Sequence, residues 1–191
     1  MTPFQFSENY ILEDEVVQLR PLELSDLEHL RYFAINERDI WKYSLIAVAG
    51  EENMKKYIED ALKNREQKKE YPFIVFDKRT QQYAGSTRFY DIQLEHKTLQ
   101  LGYTWYGKNF QGTGLNKHCK YLLLQFAFEQ IGMDRVEFRA DNRNERSITA
   151  MKSIGCTVEG LLRQNYILPD ETRRDSIVLS ILRSEWEKYG K

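Results

Sequence analysis

The chain has little cysteine, little proline and no long apolar run. Its 191 residues include two cysteines and four prolines. Two cysteines are too few for a disulfide framework in a chain of this length, so Cys119 and Cys156 are expected to be reduced core residues. No apolar run approaches a membrane span, and the N-terminus lacks the basic start and apolar stretch of a secretory signal. The expected compartment is therefore the cytoplasm.

Charge of neither sign is in excess. The 28 basic and 29 acidic side chains almost cancel, which leaves no electrostatic footprint for nucleic acid. Hydrophobic residues make up 41% of the chain, a share that excludes disorder as its general state. The length fits one domain. We predict a single domain over residues 1–191, with a core from about 16 to 182.

A glycine-bearing loop, Gln111-Gly112-Thr113-Gly114, lies between a strand pattern and an amphipathic helix pattern. Glycine lets backbone N–H groups approach one point closely, and the start of a helix adds unpaired donors and partial positive charge. The order strand, glycine loop, helix therefore indicates a receptor for a phosphate-type anion. Lys117, His118 and Lys120 lie in the first turns of the helix, where a bound anion would offset their repulsion by the helix dipole. A solvated basic face explains these three residues equally well.

The remaining patterns predict a mixed α/β domain of about seven strands and four helices, mostly hairpins with two helical crossovers in the second half. The predicted strands cover residues 16–22, 71–76, 83–92, 99–106, 135–140, 156–168 and 176–182. The first predicted helix begins at Ser25, which forms a capping box with Glu28. Three further helices are predicted over residues 51–68, 115–131 and 145–154.

Three stretches of the sequence resemble one enzyme family. They are Leu19-Arg20-Pro21-Leu22 with Asp26; Leu101-Gly102-Tyr103-Thr104-Trp105 running into Gln111-Gly112-Thr113-Gly114-Leu115-Asn116; and Asp141-Asn142-Arg143-Asn144-Glu145-Arg146-Ser147 with Ile154-Gly155-Cys156. In this order and spacing they resemble the GCN5-related N-acetyltransferase (GNAT) superfamily. The resemblance is closest to its ribosomal-protein-alanine acetyltransferase-like branch and extends from Val16 to about Leu182. It implies a central mixed, mostly antiparallel sheet that is splayed in the middle to hold acetyl-coenzyme A.

The resemblance also implies a reaction and a set of contacts. The enzyme would move an acetyl group from acetyl-coenzyme A directly to a primary amine, at a protein N-terminus or on a small molecule, in a ternary complex. Backbone amides of the glycine loop would hold the pyrophosphate, the last residues of the strand before it would hold the pantetheine arm, and Ser147 matches the position near the thioester sulfur. The implied cofactor-binding residues are Thr104, Trp105, Tyr106, Gln111, Gly112, Thr113, Gly114, Leu115, Asn116, Asn144 and Ser147.

Amine acetylation requires a deprotonated amine and a stabilised oxyanion. The predicted catalytic residues are Ser147, as a hydrogen-bond donor to the sulfur, and Tyr106, whose strand offers a backbone N–H to the oxyanion. The predicted acceptor-site residues are Arg88, Tyr90 and Trp41. We expect no metal, no nucleic acid and no membrane partner, and the chain could be a monomer or a homodimer.

The sequence departs from the family pattern at three positions. Asn116 replaces the last small residue of the loop, Gln100 stands where the family often has a glutamate, and Met151 stands where it often has a tyrosine that protonates the leaving thiolate. The general base is left open among Asp91, Glu95, His96, Glu137 and a water chain.

Two other functions are weighed against the enzyme. The missing glutamate and tyrosine would also fit a non-catalytic protein that binds or senses coenzyme A. Residues 102–109 nearly match the Gly-x-x-x-x-Gly-Lys-Ser/Thr phosphate loop of nucleotide hydrolases, with Asn109 in place of the hydroxyl residue. The bulky residues between the glycines are typical of a strand and argue against that loop.

Overall fold

The structure is a computed structural model that describes residues 4–189. Within these residues, eight strands form a single sheet. The ends of the predicted domain, residues 1–3 and 190–191, lie outside the described residues. The sheet order is β1-β2-β3-β4-β5-β6-β8-β7, and only β5 and β6 are parallel neighbours. This confirms the predicted mixed, mostly antiparallel sheet. The strands are β1 Leu12–Glu13, β2 Val17–Pro21, β3 Glu70–Asp77, β4 Gln82–Gln93, β5 Thr98–Tyr106, β6 Arg135–Asp141, β7 Thr157–Ile167 and β8 Arg173–Leu182.

Five α-helices accompany the sheet within these residues. They are α1 Leu27–Asn36, α2 Glu51–Glu66, α3 Leu115–Gln125, α4 Glu145–Ser153 and α5 Arg183–Tyr189. A π-helical segment, Phe126–Ile131, continues α3 and ends at Gly132. The sequence pattern missed β1, which has two residues, and α5, which has seven. No helix between residues 4 and 189 is long and apolar enough to cross a membrane.

The start of α1 differs from the prediction. Ser25 is not the N-cap; it lies inside a short 3-10 turn, Leu24–Asp26, and the capping box is formed by Glu23 and Asp26. Asp26 is 1% exposed and accepts two hydrogen bonds from Arg20, at 2.9 and 2.5 Å. This buried ion pair fastens β2 to the turn that starts α1, because a buried carboxylate needs a hydrogen-bonded partner of opposite charge.

Helices cover both faces of the sheet. On β4, Arg88 points to the face that carries α1 and α2, and its guanidinium lies 4.5 Å from the ring of Tyr57 on α2. Its neighbour Phe89 points to the opposite face, as successive residues of a strand do, and stacks on Phe126 at the end of α3. The two faces are called the α2 face and the α3 face below.

The parallel strands β5 and β6 are paired over only three residues. The pairs are Thr98 with Arg135, Leu99 with Val136 and Gln100 with Glu137. Beyond these three pairs, β5 stays paired with β4 as far as Tyr106, while β6 stays paired with β8 as far as Asp141. The two strands therefore diverge and leave a V-shaped opening between residues 101–106 and 138–141, which we call the strand gap.

A bulge in β5 decides which side chains face which helices. Gly102 pairs with Arg88 and Trp105 with Ser86, so β5 has one residue more than β4 over this interval. Gly102 and Trp105 are both paired, so the extra residue is Tyr103 or Thr104. Tyr103 has a positive φ of 49°, which marks the bulge. An inserted residue reverses the alternation of the strand beyond it. Thr104 consequently faces α3.

Gly85 allows β4 to approach β5 just beyond this bulge. A Cβ atom on Gly85 would lie 2.0 Å from the carbonyl oxygen of Trp105. No side-chain rearrangement relieves that overlap, because both groups belong to the main chain. Gly85 therefore sets the position of Trp105 and Tyr106 along the strand gap.

We expect Gly85→Ala to lower the free energy of unfolding by about 1–3 kcal/mol, the usual effect of overpacking, and to weaken binding of the coenzyme A that the family resemblance implies. Denaturant unfolding and equilibrium binding measure the two effects. Gly160→Ala on β7 is the matched control, because a Cβ there meets no atom within 4 Å. Equal losses in the two variants would contradict this role for Gly85.

Candidate active site

The glycine loop forms the start of α3 at the open end of the strand gap. Gly112 and Gly114 have φ of 75° and 87° in the left-handed region that favours glycine, and Gly114 is the N-cap of α3. Within residues 4–189, the N–H groups of Gly112, Thr113, Gly114 and Asn116 donate to no protein acceptor. A series of free N–H groups at a helix start is suited to an anion.

Side-chain hydrogen bonds fix the backbone of the glycine loop. Thr113 Oγ1 donates to the carbonyl of Phe110 at 2.8 Å, and Arg79 donates to the carbonyl of Thr113 at 3.1 Å. The N–H of Gln111 is already used, since it donates to Lys108 O at 3.2 Å. The N–H of Leu115 reaches only Thr113 Oγ1, at 3.5 Å.

The loop is joined to α4 across the end of the strand gap. Gln111 donates to the carbonyl of Tyr106 at 2.7 Å, and its side-chain oxygen accepts a hydrogen bond from Arg146 on α4. Asn144 is the N-cap of α4, and its oxygen accepts from the N–H of Ser147 at 3.2 Å. The structure thus brings the two predicted coenzyme segments together on opposite sides of the gap.

The main chain of β5 presents donors to the gap. The N–H of Gly107 donates to Ala84 O on β4 at 2.9 Å. Because amide directions alternate along a strand, the N–H of Tyr106 points away from β4 and into the gap. The Tyr106 phenol is buried, and desolvation raises its pKa well above the ordinary value. Only the main chain of Tyr106 is therefore suited to the predicted catalytic role.

Two of the three basic residues near the loop do not form a solvated face. His118 Nδ1 lies 2.6 Å from the carboxylate of Asp14, and Lys120 is 6% exposed and turned inward. Of the three, Lys117 alone is exposed. The phosphate-loop alternative also fails on geometry, because residues 102–106 belong to β5 and residues 108–110 form a 3-10 turn.

The sequence matches the acetyltransferase (GNAT) domain family over residues 17–157. The chain belongs to the GNAT acetyltransferase family. It is similar to the probable N-acetyltransferase YjcK of Bacillus subtilis (strain 168), with 24% identity over 184 residues that cover 93% of this chain and 100% of that protein. The predicted family and enzyme class are confirmed: this GNAT protein is an N-acetyltransferase.

Solved structures agree with the assignment. A T. thermophilus protein assigned as an acetyltransferase is 32% identical, with a TM-score of 0.85 over 100% of this chain and 96% of that one. The microcin C7 self-immunity acetyltransferase MccE, solved with acetyl-CoA and AMP, shares the fold at 24% identity and a TM-score of 0.77, over 88% of this chain and 93% of that one. The ribosomal-protein-S5-alanine acetyltransferase from Vibrio fischeri shares the fold as well, at 20% identity and a TM-score of 0.76, over 93% of this chain and 98% of that one.

The predicted acceptor residues Arg88 and Tyr90 lie together on the α2 face of this GNAT sheet. Arg88 is 3% exposed, donates to Glu70 at 2.6 Å and lies between the rings of Tyr57 and Tyr103, at 4.5 and 4.3 Å. Two of its nitrogens, Nε and Nη2, have no partner among the described residues. The ring of Tyr90 lies 5.2 Å from that of Tyr103, and burial raises the pKa of Tyr90 so that its phenol stays neutral.

Trp41 lies elsewhere, over the end of β5. Its ring is 4.6 Å from that of Trp105, and neither indole N–H has a partner in the described part of the chain. The three predicted acceptor residues therefore form two groups, one beside Tyr103 and one beside Trp105.

The carboxylate of Asp91 lies beside Gln100, which stands where the family often has a glutamate. Gln100 is 8% exposed, and its Nε2 donates to Asp91 Oδ2 at 2.8 Å. The side-chain oxygen of Gln100 is buried without a partner among residues 4–189. Asp91 itself is exposed, its Oδ1 accepts a hydrogen bond from Gln93 at 2.8 Å, and it borders an open surface depression of about 300 Å³ next to Glu70 and Tyr90. The cross-strand pair of Tyr90 with Gln100 would have indicated this neighbourhood if the β4–β5 register had been predicted.

The other candidate bases are placed less favourably. Glu137 accepts from Arg135 at 2.8 Å and from Arg139 at 2.7 Å, so its charge is already neutralised by two cations. Glu95 and His96 are exposed in the turn after β4, as Asp91 is at its end, but neither is hydrogen-bonded to Gln100.

We expect Gly114→Ala to raise the dissociation constant for coenzyme A about tenfold, which corresponds to about 1.4 kcal/mol, because an L side chain disfavours the left-handed backbone that aims the amides. Isothermal titration calorimetry measures it. Gly132→Ala is the matched control, since Gly132 has the same φ of 87° and equally open space but ends the segment after α3. An equal loss of affinity in both variants would contradict the anion receptor.

Proposed function

We propose that this chain transfers the acetyl group of acetyl-coenzyme A directly to a primary amine, at a protein N-terminus or on a small molecule. The observation that carries the proposal is the strand gap with four free main-chain N–H groups at its open end. The pyrophosphate suits those amides, and an extended pantetheine arm suits the unpaired edge of β5. The MccE structure, a complex with acetyl-CoA in the same fold, supports acetyl-coenzyme A as the ligand.

Asn144 and Ser147 complete the proposed coenzyme site from the side of β6. Asn144 uses its oxygen to cap α4, which leaves its amide nitrogen for the coenzyme. The hydroxyl of Ser147 is half-buried at the first turn of α4 and bonds to no described residue. These contacts remain consistent with the roles that the family resemblance implies.

Direct transfer is favoured because the chain offers no reactive thiol. Cys119 and Cys156 are buried, and desolvation raises the pKa of each to about 12. A thiol with so high a pKa carries almost no thiolate at neutral pH, and the thiolate is the nucleophile. An acyl-cysteine intermediate therefore has no candidate residue, and the amine must attack the thioester itself.

Asp91 is the base in this proposal. The carboxylate accepts a proton from the acceptor ammonium, directly or through one water, and the buried oxygen of Gln100 accepts a hydrogen bond from the amine that results. The amine nitrogen then bonds to the thioester carbon as the carbon–sulfur bond breaks, and it loses its second proton through Asp91 to solvent to give the neutral amide. A main-chain N–H on the unpaired edge of β5 beside the thioester donates to the oxygen that gains negative charge on the way.

An acceptor screen with acetyl-coenzyme A, read by release of free thiol, tests the activity. We expect release with peptides that carry a free N-terminal amine or with small-molecule amines, and none with the same peptides acetylated. Ranking peptides, amino acids, polyamines and antibiotic amines by kcat/KM identifies the acceptor class. Coenzyme A binding with no amine-dependent release across the panel would instead support the non-catalytic binding protein.

We expect Asp91→Asn to lower kcat/KM at least 100-fold, the lower end of a typical loss of general-base catalysis. Glu95→Gln, in the exposed turn after β4, is the matched control and should behave as wild type. Asp91→Asn combined with Gln100→Glu should recover much of the rate, because it returns a carboxylate to β5. Wild-type kinetics in Asp91→Asn would remove Asp91 from this role without affecting the proposed reaction.

The acceptor class, the cytoplasmic location, the choice between monomer and homodimer and the single domain over 1–191 all stay predictions.

A further inference from the structure

Lys120 places an ammonium group at the strand gap. It extends from α3 toward the sheet, and its Nζ donates to Thr104 Oγ1 on β5 at 2.8 Å. The same nitrogen lies 5.4 Å from the ring centroid of Phe138 on β6. Thr104 and Phe138 both follow the last β5–β6 pair, Gln100 with Glu137. Lys120 therefore spans the two strands near the point where they separate, on the α3 face.

This ammonium has no counter-ion among residues 4–189. No carboxylate lies within 4.0 Å of Lys120, although the side chain is only 6% exposed. The titratable groups near it are the thiols of Cys119 on α3 and Cys156 before β7. Both have a pKa raised to about 12 by burial and so carry no charge. A buried cation without a partner is costly, which points to a ligand that supplies negative charge.

We propose that Lys120 is a catalytic residue that donates a proton to the departing coenzyme A thiolate. The role rests on the proposed function, since it needs a thioester in the strand gap. It would replace the acid that the family often has at the position of Met151, a residue that cannot give up a proton. Thr104, whose hydroxyl also lies 2.7 Å from that of Thr87, is the positioning residue that directs the ammonium into the gap.

The proton balance of the reaction closes with this assignment. The acceptor ammonium loses one proton through Asp91 to solvent before attack, and the same nitrogen loses a second proton through Asp91 to solvent once the nitrogen–carbon bond has formed. The nitrogen–carbon bond forms, the carbon–sulfur bond breaks with its electron pair on sulfur, and Lys120 gives that sulfur a proton. Lys120 regains a proton from solvent before the next turnover. No oxidant, reductant or metal takes part.

The ionisation of Lys120 suits this task. Desolvation lowers its pKa to about 8, so the group is still mostly protonated at neutral pH but gives up its proton more readily than an exposed lysine. Acid catalysis is most effective when the pKa of the acid lies near the working pH. The rate should fall as the pH rises through the pKa of Lys120, because only the ammonium form can donate.

The test compares wild type with Lys120→Met, which keeps an unbranched side chain only one atom shorter and removes the charge. We expect kcat to fall about 10- to 100-fold and the alkaline limb of the kcat–pH profile to disappear. A second readout needs no turnover: ultraviolet absorbance of the thiolate gives the thiol pKa of enzyme-bound coenzyme A. In wild type that pKa should lie below the value of the free thiol, and in Lys120→Met it should return to it.

Two variants separate catalysis from structure. Lys152→Met removes an exposed lysine from α4 and should leave the pH profile and the thiol pKa unchanged. Thr104→Val removes the hydrogen bond that orients Lys120 and should give an intermediate thiol pKa.

The outcomes separate the two proposals. A bound-thiol pKa that is the same in wild type, in Lys120→Met and in Thr104→Val would overturn the role of Lys120; Thr104→Val keeps this test available if Lys120→Met does not fold. Wild-type turnover with an unchanged pH profile in Lys120→Met would overturn it as well and leave the proposed function standing. Absence of coenzyme A binding in the wild type would overturn both.

Discussion

The separation of β5 from β6 is the constraint on which the site depends. Two parallel strands that pair over three residues and then diverge leave main-chain donors and acceptors without neighbours, and buried backbone groups require partners. The strands can diverge because each keeps its other neighbour: β4 holds β5, and β8 holds β6. The helices that start beyond the strand ends, α3 and α4, are joined by the contact of Gln111 with Arg146. The gap is therefore an opening with fixed walls, lined by donors that a chain-like ligand can satisfy.

The bulge in β5 distributes the chemistry over the two faces of the sheet. Gln100 precedes the bulge and faces α2 together with its cross-strand partner Tyr90. Thr104 follows it and faces α3, where it meets Lys120. Without the extra residue Thr104 would point away from Lys120, and Trp105 would lose its contact with Phe33 on α1. One inserted residue thus puts Gln100, the neighbour of the proposed base Asp91, and Thr104, the neighbour of the proposed acid Lys120, on opposite faces of the sheet.

The sequence predicted the elements better than their details. Period-two and helical patterns located seven strands and four helices, and the family resemblance supplied the splayed sheet. The capping box at Glu23 and Asp26 was missed because Ser25 with Glu28 has the same sequence signature. Arg88 was predicted near the acceptor, but its burial between two tyrosine rings depends on pairing between distant strands. The contact of Asp91 with Gln100 and the inward turn of Lys120 have no local signal, since each depends on the register of β5 against a neighbouring element.

The departures at Gln100 and Met151 can be understood together. If the site had lost its function, substitutions that remove charged groups from the gap would be expected. A buried charge that no ligand or reaction requires destabilises the fold. Here the glutamine is 8% exposed and retains a carboxylate at 2.8 Å, and an unpaired ammonium persists near the point where the strands part. Each group absent from its family position has a neighbour on an adjacent element that can transfer a proton in the same direction: Asp91 can accept one and Lys120 can donate one. Two such replacements on opposite faces of one gap favour a catalyst whose acid and base have moved over a degenerate site that only binds coenzyme A.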